Sequence, residues 1–170
     1  MKKILFLLAL LLLPLGAAEA QKIVLVDMEY ILKKDPSYAV MNRQIEDLSK
    51  KWQAEVAGYE KKAEQAYQSY QSEAALLSAQ QKKQREESIV ALEKQAYELK
   101  RKYFGPEGEL FKKRESLMKP IQDRVWAAMK ELARRGGLQL IIDRTSSKIV
   151  YADPGLDISE AVVSTLGLDR

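Results

Sequence analysis

Apolar residues follow two different rhythms along this chain. Near its start, Lys22 to Val26 reads K-I-V-L-V, an unbroken apolar run of the kind carried by a strand buried on both faces. Near its end, Leu138 to Asp143 (LQLIID) and Lys148 to Tyr151 (KIVY) read as two strands around the turn Arg144-Thr145-Ser146-Ser147. From Tyr38 to Arg135 the apolar positions recur every three or four residues instead, which predicts helix. The first stripe is Tyr38, Met41, Ile45, Leu48, Trp52, Val56, Tyr59, Ala63, Ala66, Tyr70, Ala74 and Leu77. Its steps alternate like a coiled-coil seam, with one extra step of four between Trp52 and Val56 that resembles a stutter. It opens with large side chains and thins to alanines, so its far half should bury little area and be weakly held.

The breaks in this pattern divide the helix. Asp35-Pro36-Ser37 carries helix-start chemistry, after a short helical turn from Met28 to Leu32. Leu76-Leu77-Ser78 marks a tip, and Ser78 with Gln81 fits a capping box opening the next helix. That helix has its own stripe, Ile89, Leu92, Ala96, Leu99 and Tyr103, so the two should zip as an antiparallel hairpin. Gly105-Pro106-Glu107-Gly108 should kink or interrupt the return limb, with the proline suited to the start of a resumed helix. Leu117, Ile121, Val125, Ala128 and Leu132 form the apolar face of the last long segment, which Pro120 should bend and Gly136-Gly137 should end. Asp153-Pro154-Gly155 reads as a turn. A final helix begins near Asp157-Ile158-Ser159, with Ala161, Val162 and Leu166 toward the body.

The predicted architecture is α+β and mainly α: a small β body (21–36 and 136–170) and a helical-hairpin arm (37–135). The arm's tip lies near 76–78 and its kink near 104–108. Residues 1–20 read as a signal peptide, with Lys2 and Lys3 as the positive region, Ile4 to Leu13 as the apolar region, and Ala18-Glu19-Ala20 as the cleavage pattern. Cleavage is expected after Ala20, the other reading being an uncleaved anchor. Removing two lysines and one glutamate lowers the net charge from +4 to +3, a mild balance that does not argue for nucleic acid.

The chain has no cysteine and no histidine, which removes disulfides and the commonest metal ligands and catalytic bases. Its carboxylates are spread along helix faces among lysines and arginines, as in Glu46 and Lys50, the pattern of a solvated helix. Asp143 and Asp153, at strand ends, fit turn chemistry better than catalysis. No cofactor is expected. The basic clusters Lys82-Lys83-Arg85, Lys100-Arg101-Lys102 and Lys112-Lys113-Arg114 keep long helices soluble or meet acidic clients or anionic lipids. The tip cluster projects furthest. Trp52 and Tyr59 suit hairpin packing. Tyr67 lies off the main stripe, facing a partner or a cavity, while Leu76 and Leu77 are apolar where a turn is normally polar.

The signal peptide, the K-I-V-L-V-D-M strand, the helical hairpin and the L-Q-L-I-I-D...I-V-Y-A-D-P...D-I-S ending together resemble the Skp/OmpH family of periplasmic outer-membrane-protein chaperones. Tyr103 to Arg114 looks like the version in one branch of that family. The resemblance covers the mature chain, and the terminal strand segments are its most specific part. It implies a homotrimer with three tentacles around a cavity, acting as an ATP-independent holdase for unfolded outer-membrane β-barrel proteins. On that implication Ile23, Val24, Leu25, Val26, Leu140, Ile141, Ile142, Ile149 and Val150 build the trimer body. Tyr59, Tyr67, Tyr70, Leu76, Leu77, Lys82, Lys83, Arg85 and Ile89 are the candidate client contacts. The low net charge departs from the strongly basic members and leaves only weak contact with anionic membrane lipids. The other readings of the same periodicity are a structural spacer of the cell envelope and, least supported, an enzyme.

Overall fold

The computed structural model describes residues 22–169. The expected signal peptide and its cleavage site lie outside them. Strand β1 (Ile23–Val26) leads through Asp27 into helix α1 (Met28–Lys34). Asp27 accepts a hydrogen bond from the Tyr30 N–H at 2.8 Å, satisfying a donor that a helix start leaves unpaired. Asp35 closes α1 and caps α2 (Pro36–Glu73), accepting from the Ser37 N–H at 2.8 Å, while Pro36 fills the first helical position. At 1.5 Å per residue the 38 residues of α2 reach about 57 Å.

Helix α3 (Ala79–Phe104) returns antiparallel to α2. Its start is the full capping box: Ser78 Oγ accepts from the Gln81 N–H, and the Gln81 side chain accepts from the Ser78 N–H. The break after α3 is a tight turn rather than a kink, closed by a 2.8 Å bond from the Gly108 N–H to the Gly105 carbonyl. A Cβ on Gly105 would stand 2.4 Å from the Arg101 carbonyl oxygen, so only glycine fits there. Pro106 sits inside this turn, not at the head of the resumed helix. Helix α4 (Glu109–Gly136) begins three residues later and continues without interruption through Pro120. Pro120 leaves the Ser116 carbonyl without its helical donor, a loss that the exposed position of both residues lets water offset. Gly137, at φ 62°, ends α4 in the left-handed conformation.

Strand β2 (Leu140–Asp143) pairs with β1 in parallel, with Ile23 opposite Leu140 and Val26 opposite Asp143. A parallel pair needs a crossover between its strands. Here that crossover is α1 to α4, so the whole hairpin arm is one long βαβ connection. On the other edge of β1, the Ile158 N–H donates to the Leu25 carbonyl at 2.9 Å, and Leu25 bridges Asp157. Both edges of β1 are therefore occupied, as its continuous apolar sequence requires.

The expected second strand of a 138–151 hairpin does not form. Residues Lys148 to Tyr151 have no ladder, and Val150 and Tyr151 are exposed. The near edge of β2 is taken by β1, and the segment finds no other strand among the described residues. A short 3₁₀ turn (Pro154–Leu156) and helix α5 (Ser159–Thr165) close the chain. In α5 the buried residues are Ser159, Val162 and Val163, with Leu166 partly buried. They stand at i, i+3, i+4 and i+7, one helix face packed against α1 and α4, and Ala161, expected on that face, lies off it and is exposed.

Two cores result. Val26, Ile31, Val125, Ala128, Val162 and Val163 form the body core between the sheet, α1, α4 and α5. Met41, Ile45 and Ile121 form a second, at the root of the arm, where α2 crosses α4. Each large aliphatic chain buried in this way contributes ~1.5–3 kcal/mol, so the fold is anchored at the body end.

Candidate functional site: the helical arm

The arm is built from the stripes of α2 and α3, and its packing changes along its length. Just beyond the root core, the rings of Trp52 and Tyr103 stack, with centroids 4.6 Å apart and planes within 2° of parallel. The Tyr103 hydroxyl donates to Glu55 at 3.0 Å, and that carboxylate holds the phenol above its ordinary pKa. Val56 and then Ala63 continue the buried line of α2, and Ala96 and then Ile89 continue that of α3 toward the tip. Where both helices present alanine, little apolar area is buried.

Polar contacts replace apolar ones toward the tip. The Tyr70 hydroxyl donates to Glu86 at 2.5 Å, and this bond holds Tyr70 above the usual phenol range. Arg85 bridges to Glu73 at 3.2 Å across the two limbs. The tip then presents Leu76, 87% exposed, with Leu77 half-buried behind it. Exposed ion pairs and hydrogen bonds of this kind are screened by water and add little, so the distal arm is thinly secured.

The candidate contact residues separate by position. Tyr67, Leu76, Lys83 and Arg85 are exposed; Tyr59, Tyr70, Leu77 and Lys82 are half-buried at the edges of the seam. Lys62 lies over the Tyr59 ring at 4.9 Å, Lys83 is 3.9 Å from Glu87, and Arg85 is engaged by Glu73. Ile89 is a correction: it is 7% exposed, because the α3 stripe turns it into the seam, where it touches no solvent-side partner. Sequence reasoning placed Tyr97 of α3 on or beside the seam but left it out of the client contacts, and it missed Val90 on α3 and Val40, Phe111 and Trp126 nearer the body as exposed apolar positions. All five lie beside a stripe, not on it. An apolar residue one step off an otherwise polar helix face was the signal available.

The body residues divide as well. Val24, Leu25 and Val26 are buried within the protomer, so their side chains belong to its own core and are not free to meet another chain. Ile141 and Ile142 are half-buried. Ile23, Leu140, Ile149 and Val150 remain exposed, and β2 keeps one open edge. A cleft of about 550 Å³ between one face of the sheet and the helices is walled by Val26, Met28, Trp126, Met129, Ala133 and Ile141.

The turn chemistry expected of Asp143 and Asp153 is present, Asp153 accepting from the Gly155 N–H at 2.7 Å. Asp143 accepts from the Thr145 N–H and hydroxyl, and from the Met28 N–H. Asp157 accepts from the Ser159 N–H and hydroxyl and from Arg144 at 2.7 Å. Burial raises the pKa of each carboxyl, but these donors outweigh it and the net shift is downward. Both are thus committed acceptors. Among the described residues no group of carboxylates is placed to hold a metal ion, and no helix is long and apolar enough to cross a membrane.

Comparison with known proteins agrees with this architecture. The profile of the family described as "Outer membrane protein (OmpH-like)" matches residues 22–166. A protein named chaperone protein Skp, from Yersinia enterocolitica, is 25% identical over 150 residues, covering 87% of each chain. A crystal structure from Caulobacter crescentus described as OmpH-like superposes with a TM-score of 0.70 at 11% identity, covering 86% of this chain and 83% of that one. At that identity the match speaks to the fold: small sheet, long helical arm. Skp/OmpH proteins are periplasmic chaperones, not enzymes. With the family profile spanning both body segments and the entire arm, this chain belongs to the OmpH-like family.

Proposed function

We propose that this protein is an ATP-independent periplasmic holdase that grips unfolded outer-membrane β-barrel proteins between helical arms. The observation that carries the reading is the gradient along the arm. Its root is locked by a buried core and an aromatic stack, while its far half is thinly packed and carries exposed Tyr67, Tyr97, Val90 and Leu76 among charges. Such a surface offers many weak, replaceable contacts, which keep a client soluble without trapping it. The candidate contacts are Tyr59, Tyr67, Tyr70, Leu76, Leu77, Lys82 and Lys83, with Arg85 bracing the tip.

The working unit in this reading is a homotrimer, whose three arms add avidity to weak single contacts. Its support is the unsatisfied body: the open edge of β2, the exposed apolar run at Ile149 and Val150, and the cleft beside Trp126. An open edge with apolar neighbours is a template for pairing with another chain. Residues 1–20 would direct export and be cleaved after Ala20 in its course, and Lys82 and Lys83 would give at most weak contact with anionic lipids. No nucleic acid is involved.

The test is light scattering with mass determination on the mature chain mixed with a urea-diluted outer-membrane β-barrel protein. Three chains with one soluble client, and suppressed aggregation, is the expected result. A stable oligomer that lets the client aggregate would overturn it and favour a structural spacer.

A further inference from the structure

Midway along the arm the seam opens into a notch of about 390 Å³, at the small end of ligand-sized clefts (roughly 300–1,000 Å³). Its pattern repeats on the two helices. On α2 it is built by Glu60, Ala63, Glu64 and Tyr67, and on α3 by Glu93, Ala96, Tyr97 and Lys100. Each set has the spacing i, i+3, i+4, i+7, which places four side chains on one helix face. The buried alanines make the floor, and the two exposed tyrosines make walls. The rim carries three carboxylates against one ammonium, a local charge of −2 on a chain of net charge +4. Glu60 and Glu93 have no lysine or arginine within ion-pair distance among the described residues.

We infer that this notch is a subsite for a single arginine side chain of an extended, unfolded polypeptide. The inference rests on the reading of the arm as the client-gripping element. The charge of the rim selects a cation. The apolar floor suits the methylene stem of a long side chain, which buries its stem while keeping its charged head solvated. The tyrosine walls favour a planar, weakly hydrated guanidinium, which stacks on aromatic faces and forks to carboxylates, over the compact ammonium of lysine. The alanines at 63 and 96 thereby gain a role beyond helix approach: a larger residue at either would fill the floor.

The test uses methyl NMR of the full mature chain labelled at alanine, titrated with a short Ser/Gly peptide containing one arginine. A second titration uses the same peptide with citrulline, which keeps the shape and removes the charge. The arginine peptide should shift the Ala63 and Ala96 methyls saturably, and citrulline should weaken binding by about three-fold or more, the scale of an exposed cation–aromatic contact. Glu60→Gln with Glu93→Gln should shrink the difference between the peptides. Lys100→Gln should tighten arginine binding, the opposite sign within the same notch. Equal binding of the two peptides, or Lys100→Gln and Glu93→Gln changing affinity in the same direction, would overturn the inference. A parallel aggregation assay separates it from the holdase reading. Client held with the Ala63 and Ala96 methyls indifferent to arginine removes the subsite alone. Arginine-dependent shifts with an aggregating client leave the subsite standing and remove the holdase.

Discussion

Removing Arg124 tests how the arm is fixed to the body. Asp35 is 2% exposed and caps the first turn of α2, and Arg124 of α4 approaches its carboxylate to 2.5 Å. In Arg124→Ala the buried carboxylate keeps the Ser37 N–H and loses its charged partner. A hydrogen bond to a charged group is worth ~1.5–3 kcal/mol in a folded protein. The arginine side chain is 52% exposed, so solvent screening puts the expected loss near the lower end, about 1.5–2 kcal/mol. Asp35→Ala removes the same pair together with the cap, itself worth ~1 kcal/mol, but strands no buried charge because Arg124 returns to water. The double variant should then be little worse than Asp35→Ala, falling short of the sum of the singles by about 1.5 kcal/mol. The assay is urea unfolding followed by helical circular dichroism, at two protomer concentrations so that any linkage to assembly is seen. An Arg124→Ala loss within ~0.5 kcal/mol of zero, or additive singles, would refute the argument, since it would mean the pair is no more than a surface contact.

Other expectations follow from exposure and charge. Leu76→Ser should leave the urea midpoint within error, Leu76 being almost fully exposed, and Leu77→Ser should lower it slightly, Leu77 being half-buried; together they should weaken suppression of client aggregation in the light-scattering assay. Val24→Asp should unfold the body, because it places an unpaired charge in the protomer's own core, whereas Val150→Asp should keep the protomer's circular dichroism and lower its oligomeric mass. A folded Val24→Asp variant, or a Val150→Asp variant of unchanged mass, would argue against this division of the body. Asp157 and Asp143 have depressed pKa values in the folded chain, so their stabilisation is complete above the unfolded carboxylate pKa and is lost as pH falls through the lower folded values. Urea midpoints should therefore drop on acidification from pH 7 into the acid range below pH 4, and Arg144→Gln should flatten that drop.

The long helices were legible because their apolar period is sustained and their ends carry local chemistry. Asp35, Ser78 and Gly137 each satisfy or terminate a helix through contacts within a few residues. Pairing was not legible. LQLIID and KIVY carry strand composition, yet nothing in a period of two names the partner, and β2 joined a strand 117 residues away in sequence (Ile23 with Leu140) rather than its neighbour. The arm's stripe told which residues face inward, including Ile89, whose assignment to the client set ignored its own place in that stripe. The notch escaped notice because it is made of what two helices lack, alanine opposite alanine, and an absence becomes a shape only when the limbs are in register.

The parallel pairing of β1 with β2 makes the arm a closed loop of chain with both feet nailed side by side. Its reach is therefore quantised. Deleting one residue from a single limb turns every later side chain on that limb by about 100° and carries the stripe away from its mate. Removing seven residues from each limb at matching heights instead preserves both faces and shortens the arm by about 10.5 Å. Arms of this fold should be tailored in matched heptads, a rule by which a cage of chosen depth could be cut for cargo of chosen size.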